Sequence, residues 1–297
     1  MKELINHIVS RLLPAYPEDE AHALALWVIE ECTGFSRSEI LTGCKSTKNI
    51  PNLQDIIERL LHFEPIQYIF GHTLWCGLDL KVTPATLIPR PETAELVEKI
   101  ANYPLPITNC RVLDIGTGSG CIAVALKKRH PEWQVTGMDV SAEAIEVAKE
   151  NARRNGVEVD FRVADIFSAT EGLDYSDETG ENHRSPLTNR HYDIIVSNPP
   201  YICEQEKSAM RPNVLNYEPH TALFVPDSDP LLFYRRIAEL FSIPSKDRQE
   251  ASYLFFEINE AYPAELAAML HELGYTDIKI TNDIYGKPRI IEARSPR

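Results

Sequence analysis

Long apolar runs are missing from this chain. No stretch reaches the ~18 consecutive apolar residues that a membrane span needs, and the N-terminal MKELINHIVSRLLP mixes charge into its helical period, unlike a signal peptide. Paired cysteines are missing too. The six cysteines stand far apart at 32, 44, 76, 110, 121 and 203, with no CxxC and no histidines at metal-ligand spacing. They read as a reduced thiol set, which excludes a zinc-type site and points to the cytoplasm. Positive charge is in deficit: the formal net charge is −14, and residues 1–75 carry 6 Lys and Arg against 10 Asp and Glu. That balance opposes a protein whose affinity comes from many phosphate contacts, so neither nucleic acid nor membrane is an expected partner. Lys127, Lys128, Arg129, Arg153 and Arg154 lie on predicted helices and read as solvated surface. Internal repeats are absent as well.

What is present is an ordinary globular composition, 43% hydrophobic and 25% charged over 297 residues, enough for one large and one small domain. Residues 1–72 read as short amphipathic helices. Pro17–Cys32 is a long one stopped near Gly34, Ser36 and Glu39 make a capping box, and Leu53–Leu61 repeats the helical pattern. Residues 73–86 form a hairpin-like linker turning at Gly77. From 87 to 297 lies the larger domain, where strands and helices alternate from Arg111 onward, as in a mostly parallel sheet with right-handed crossovers. The polar segment 170–191 lacks periodicity and reads as a mobile surface insertion.

Chemistry-bearing residues cluster at predicted strand ends. The run RVLDI ends in Gly116-Thr117-Gly118-Ser119-Gly120, after which a helix begins; such a loop lets backbone approach a ligand but serves several nucleotide cofactors. The next strand, QVTGMD, ends in Asp139, placed to bond ribose hydroxyls, and Ser141 caps the helix that follows. A third strand, read as Asp160–Phe167, carries Asp165 and Ile166 at its end. They suit an adenine amino group and ring, although Asp165 equally suits a solvated turn. Finally, YDIIVS delivers Asn198-Pro199-Pro200-Tyr201. Proline fixes its own φ and pushes the residue before it toward extended backbone. The result is a stiff hook with two carbonyl acceptors and an aromatic wall, suited to a planar NH2 group; a Pro-rich turn closing a strand is the other reading. Arg90 and Glu92 either order a substrate-facing loop or form a structural ion pair, and Glu257 at a strand end reads as architectural.

Taken together, PIQYIFG at Pro65–Gly71, LIPRPET at Leu87–Thr93, DIGTGSG at Asp114–Gly120, Asp139, ADIF and NPPYI at Asn198–Ile202 closely resemble the HemK/PrmC family, the N5-glutamine methyltransferases of peptide chain release factors. The resemblance covers almost the whole chain. It implies the seven-stranded Rossmann-like α/β fold of S-adenosylmethionine-dependent methyltransferases, with an antiparallel last strand and a helical N-terminal domain that helps hold the release factor. It implies S-adenosylmethionine as cofactor and the glutamine of the Gly-Gly-Gln loop of class-I release factors as methyl acceptor. A monomer is expected. Three departures stand out: Ala94 where the family usually reads Glu, the long 170–191 segment, and LFVPDSDPLLFY in place of a glycine-containing segment.

On that basis Asn198 and Pro199 are expected to accept the two amide N–H bonds while Tyr201 packs on the flat amide and Pro200 stiffens the hook. Gly116–Gly120 would take the methionine end of the cofactor, Asp139 its ribose, and Asp165 with Ile166 its adenine. Alternatives are a glutamine in a ribosomal protein, an adenine amino group in nucleic acid, a NAD-dependent oxidoreductase, and a silent module that only docks a translation factor. The absence of a basic face, of a hydride-transfer group, and of any reason for a docking module to keep hook and loop weighs against the last three.

Overall fold

The computed structural model describes residues 1–43, 50–104, 108–168, 175–176, 182–183, 192–242 and 252–296. The chain divides into two compact units, Met1–His72 with Met210–Tyr217, and Thr73–Ala209 with Glu218–Arg297. In the first, helices Lys2–Leu12, Glu18–Thr33, Arg37–Leu41, Leu53–Leu61 and Ile66–Phe70 follow one another. Their apolar stripes meet in a core of Ile8, Leu12, Ala25, Ile29, Ile57 and Leu60. Gly34 ends the second helix with φ 73°, and Ser36 and Glu39 close a reciprocal capping box on the third. The segment Met210–Tyr217 joins this unit through Arg211 to Glu20 at 2.6 Å and the Tyr217 hydroxyl donating to the His62 carbonyl at 2.9 Å.

The second unit is built on a seven-stranded sheet. We number its strands β1 (Arg111–Ile115), β2 (Gln134–Asp139), β3 (Asp160–Val163), β4 (Ile194–Ser197), β5 (Tyr253–Glu257), β6 (Thr276–Asn282) and β7 (Pro288–Arg294). Their order is β6-β7-β5-β4-β1-β2-β3. All neighbours from β3 to β5 pair parallel, whereas β7 pairs antiparallel with both β5 and β6. The period-2 alternation of the strands sorts their side chains onto two faces. Val112, Ile194, Val196 and Phe255 pack with Leu96, Ile100 and Val124. Leu113, Ile195, Leu254 and Phe256 pack with Tyr234, Ile237, Leu266 and Leu270. Phe255 and Phe256 are both fully buried, on opposite faces, and each contributes roughly 2–3 kcal/mol of apolar burial.

One feature differs from the sequence reading. β3 stops at Val163 rather than at Phe167, because its partner β2 ends at Asp139, opposite Val163, and no ladder remains. Asp165 therefore sits in the following turn. The hairpin-like segment pairs His72–Trp75 with Leu78–Lys81, with positive φ at Cys76 and Gly77. It is fastened to the sheet unit by the fully buried Asn151, whose amide bonds both the N–H and the carbonyl of Lys81 and also the Ser119 carbonyl. The 170–191 segment lies outside the described residues except for the paired Tyr175–Ser176 and Asn182–His183.

Candidate active site

β1 lies between β4 and β2, so the strand order reverses there and a cleft opens at the carboxyl ends, the usual ligand site of open α/β sheets. Gly116–Ser119, Met138–Ser141, Ala164–Ile166 and Asn198–Pro200 line it, together with Arg90 at the N-cap and Thr93 in the first turn of helix Pro91–Ala101. A wider depression at the opposite ends of β1–β3, lined by Arg111, Gln134 and Asp160, holds neither the loop nor the hook.

The glycine loop presents bare backbone. Gly116 and Gly118 have φ of 68° and 53°; a Cβ on Gly116 would meet nothing within 4 Å, and one on Gly118 only the Gly116 carbonyl at 4.0 Å. Its shape is held from both sides. Asp114 is fully buried, and its Oδ2 accepts from the Thr117 hydroxyl at 2.6 Å and the Ala123 amide at 3.2 Å. Asp139 accepts from the Gly118 amide and the Ser141 amide, both at 2.9 Å. Burial raises the Asp139 carboxyl, and these backbone donors offset part of that. Asp165 lines the cleft, and its oxygens accept from the Phe167 amide at 2.9 Å and the Ser168 hydroxyl at 3.0 Å, the bonds of a turn residue. Ile166 is buried beside it.

The hook leaves β4 where Ser197 pairs with Ile115 on one side and Phe256 on the other, and the Ser197 hydroxyl donates to the Ile115 carbonyl at 2.7 Å. Asn198 Nδ2 donates to Thr93 Oγ1 at 3.2 Å. The Thr93 hydroxyl donates to Glu257 Oε2 at 2.6 Å, and the Tyr201 hydroxyl to Glu257 Oε1 at 3.0 Å. Tyr201 is thus half-buried against the core and does not line the cleft, unlike Asn198, Pro199 and Pro200. Burial raises its phenol strongly. Asn259 Nδ2 donates to the Tyr201 carbonyl at 3.0 Å.

Arg90 pairs with Glu218 at 2.7 Å rather than with Glu92, and Glu218 also accepts from the Ile88 amide at 3.1 Å. Glu92 does not line the cleft. Sequence reasoning passed over Thr93, Glu218 and Asn259 and gave Glu257 no part in the site. The available signal was position: Thr93 stands inside LIPRPET, and Glu257 ends the strand beside the hook. Among the described residues, no group of His, Cys, Asp or Glu is arranged to hold a metal ion, and no helix is long and apolar enough to cross a membrane.

This cleft suits S-adenosylmethionine: the bare Gly116 and Gly118 backbone admits a close ligand, Asp139 offers carboxylate oxygens at the end of β2, and Ile166 offers an apolar surface beside Asp165. Comparison with known proteins agrees. Residues 107–237 match a methyltransferase domain family, and residues 3–71 match the PrmC N-terminal domain family. A release factor glutamine methyltransferase of Bacteroides thetaiotaomicron is 41% identical, the match covering 99% of each chain. One from Flavobacterium psychrophilum is 38% identical over 98% of each. The solved hMettl16 catalytic domain, bound to a 3′UTR hairpin, is 20% identical with a TM-score of 0.51, covering 74% of this chain and 75% of that one, and shows the shared fold alone. With two such relatives spanning nearly its full length, the chain belongs to the release factor glutamine methyltransferase family.

Proposed function

We propose that this protein methylates the side-chain amide nitrogen of the glutamine in the Gly-Gly-Gln loop of class-I peptide chain release factors, using S-adenosylmethionine. The observation that carries the proposal is the state of Asn198. Its Nδ2 is committed to Thr93, which leaves Oδ1 as the group offered to the cleft beside Pro199 and the glycine loop.

Bound S-adenosylmethionine supplies a methyl group on a sulfonium cation, an electrophile that needs no further activation. The demand on the protein is therefore at the acceptor, whose amide lone pair is delocalised. Asn198 Oδ1 and the Pro199 carbonyl accept the two N–H bonds, fix the nitrogen in one place and favour electron density there. Positioning of this kind can lower a barrier by roughly 7–11 kcal/mol in favourable cases. Among the described residues no histidine or lysine lines the cleft, and its carboxylates Asp139 and Asp165 are engaged by backbone amides and a hydroxyl, so the surplus proton of the methylated nitrogen leaves to water after transfer. Asp139 would hold the ribose, Asp165 and Ile166 the adenine, and the Gly116–Gly120 backbone the methionine end. Arg90, tied to Glu218, shapes the wall that receives the substrate loop.

Residues 1–72 act as the release-factor recognition domain, 73–86 as its linker and 87–297 as the methyltransferase domain. A monomer working on a cytoplasmic translation factor fits the acidic balance of −14, which disfavours a nucleic acid substrate. The test is mass spectrometry of the Gly-Gly-Gln peptide after incubation of enzyme and cofactor with each class-I release factor, with ribosomal proteins and DNA as parallel substrates. One added methyl on the glutamine amide supports the proposal; methyl found only on a ribosomal protein or DNA refutes it.

A further inference from the structure

The hook does not set its own polarity. An asparagine amide is nearly symmetric in shape, yet a planar NH2 substrate needs oxygen, not nitrogen, turned toward it. Asn198 Nδ2 lies 3.2 Å from Thr93 Oγ1, and that hydroxyl lies 2.6 Å from Glu257 Oε2. The other carboxylate oxygen is taken by the Tyr201 hydroxyl at 3.0 Å, and Tyr234 donates to the Glu257 backbone carbonyl at 3.0 Å. Glu257 is 1% exposed and Thr93 2% exposed.

Burial raises the Glu257 carboxyl, while the Thr93 and Tyr201 hydroxyls aimed at its two oxygens, with Arg289, hold it toward the ionised form, and an ionised carboxylate only accepts hydrogen bonds. Thr93 must then donate its single proton to Glu257, so toward Asn198 it can only accept. An acceptor at that point binds the amide NH2 and repels the amide oxygen. The direction of every bond in the chain follows from the charge at its far end.

We propose that Glu257, acting through the Thr93 hydroxyl, is the positioning residue that fixes the amide orientation of Asn198 and so presents Oδ1 to the methyl acceptor; this rests on the glutamine-methylation reading above. Neither residue touches the reacting atoms. Replacing Glu257 by Gln keeps the shape and reverses the polarity. The Gln Nε2 goes to Thr93, because the opposite placement would leave the buried Tyr201 hydroxyl without its acceptor. Thr93 then turns its proton toward Asn198, which flips to meet it and offers NH2 to the substrate NH2.

The experiment uses the full chain with Glu257→Gln, Thr93→Val and Thr93→Ser, a release factor as methyl acceptor, and calorimetry with S-adenosylmethionine. Thermal unfolding checks that each variant folds, and NMR follows exchange of the Asn198 side-chain NH2 protons. The expected result is a fall in kcat of roughly 10- to 100-fold for Glu257→Gln and Thr93→Val, as seen when supporting hydrogen bonds or alignment are lost. Cofactor affinity should hold within about threefold, KM for the release factor should change little, and Thr93→Ser should restore most of the rate. The Asn198 NH2 protons should be protected in the wild type and exposed in Thr93→Val. Near-normal kcat in folded Thr93→Val or Glu257→Gln overturns the inference, and so does a rate loss accompanied by an equal loss of cofactor affinity. Should Glu257→Gln fail to fold, Thr93→Val against Thr93→Ser decides alone. If the wild type itself leaves the glutamine unmethylated, the functional reading fails, and the NH2 exchange data still judge the orientation of Asn198.

Discussion

Asp139 grips the glycine loop by its backbone: Oδ2 accepts from the Gly118 amide at 2.9 Å, while Oδ1 takes the Ser141 amide at the same distance. One carboxylate thus orders the loop after β1 and starts the helix after β2, at a position that lines the cleft. Substituting Asp139→Ala should weaken S-adenosylmethionine binding roughly 10- to 100-fold, corresponding to the ~1.5–3 kcal/mol typical of hydrogen bonds to a charged group. Calorimetry measures it; unchanged affinity would remove Asp139 from the cofactor site.

Arg90, which lines the cleft, forms an ion pair with Glu218. The Glu218 side chain is fully buried and that of Arg90 is 31% exposed. Removing the guanidinium in Arg90→Ala leaves a buried carboxylate with the Ile88 amide as its other partner. A stability loss of about 1–3 kcal/mol is expected in urea unfolding, with KM for the release factor rising. In the Glu218→Gln background the same Arg90 change should cost much less, since no charge is then stranded.

Burial pushes the Asp114 carboxyl up to about 7, with the Thr117 hydroxyl and the Ala123 amide pulling the other way. Its Oδ1 has no hydrogen-bond partner among the described residues, a place where a proton is welcome. The sign follows from linkage. The folded carboxyl holds its proton more tightly than the unfolded one, whose pKa is about 3.9, so this group favours the fold more as pH falls from about 7 toward about 4. Unfolding free energies measured across that window for the wild type, minus those for Asp114→Asn, should rise on acidification. A flat difference would contradict the assignment.

Gly120 is a packing glycine. Its φ is 78°, and an added Cβ would stand 2.9 Å from the Ala148 Cβ and 3.2 Å from the Ala148 Cα. Gly120→Ala should therefore destabilise the fold by roughly 1–3 kcal/mol. Gly116→Ala meets no atom within 4 Å and keeps only the strain of φ 68°. It should lose cofactor affinity more than stability, a contrast that thermal unfolding and calorimetry on the two variants resolve.

The sheet was legible because each central strand is a short apolar run, and each site residue waits at its carboxyl end, where the backbone must leave the ladder. Asn198, Asp139 and Gly116–Gly120 follow from that rule alone. The end of β3 was not legible, because strand length depends on the partner: once β2 stops at Asp139, Val163 has nothing further to pair with. The sequence offers the Tyr201 ring as an aromatic face at the hook, but the bond of its hydroxyl to Glu257, 56 residues on, has no local signal. Thr93 and Glu257 are 164 residues apart, and no local pattern announces a bond across that separation. Glu218 escaped for the same reason, since its partner Arg90 comes from 128 residues earlier.

The central claim is that two carbonyl oxygens, from Asn198 and Pro199, orient the acceptor nitrogen. Methyl transfer to a release factor by Asn198→Ala, with S-adenosylmethionine binding measured on the same preparation, tests it most directly. A drop in kcat/KM of about 100- to 1000-fold, the scale of losing one preorganised hydrogen-bonding group at a reacting centre, with binding changed only severalfold, is the predicted result. Turnover close to wild type would contradict it.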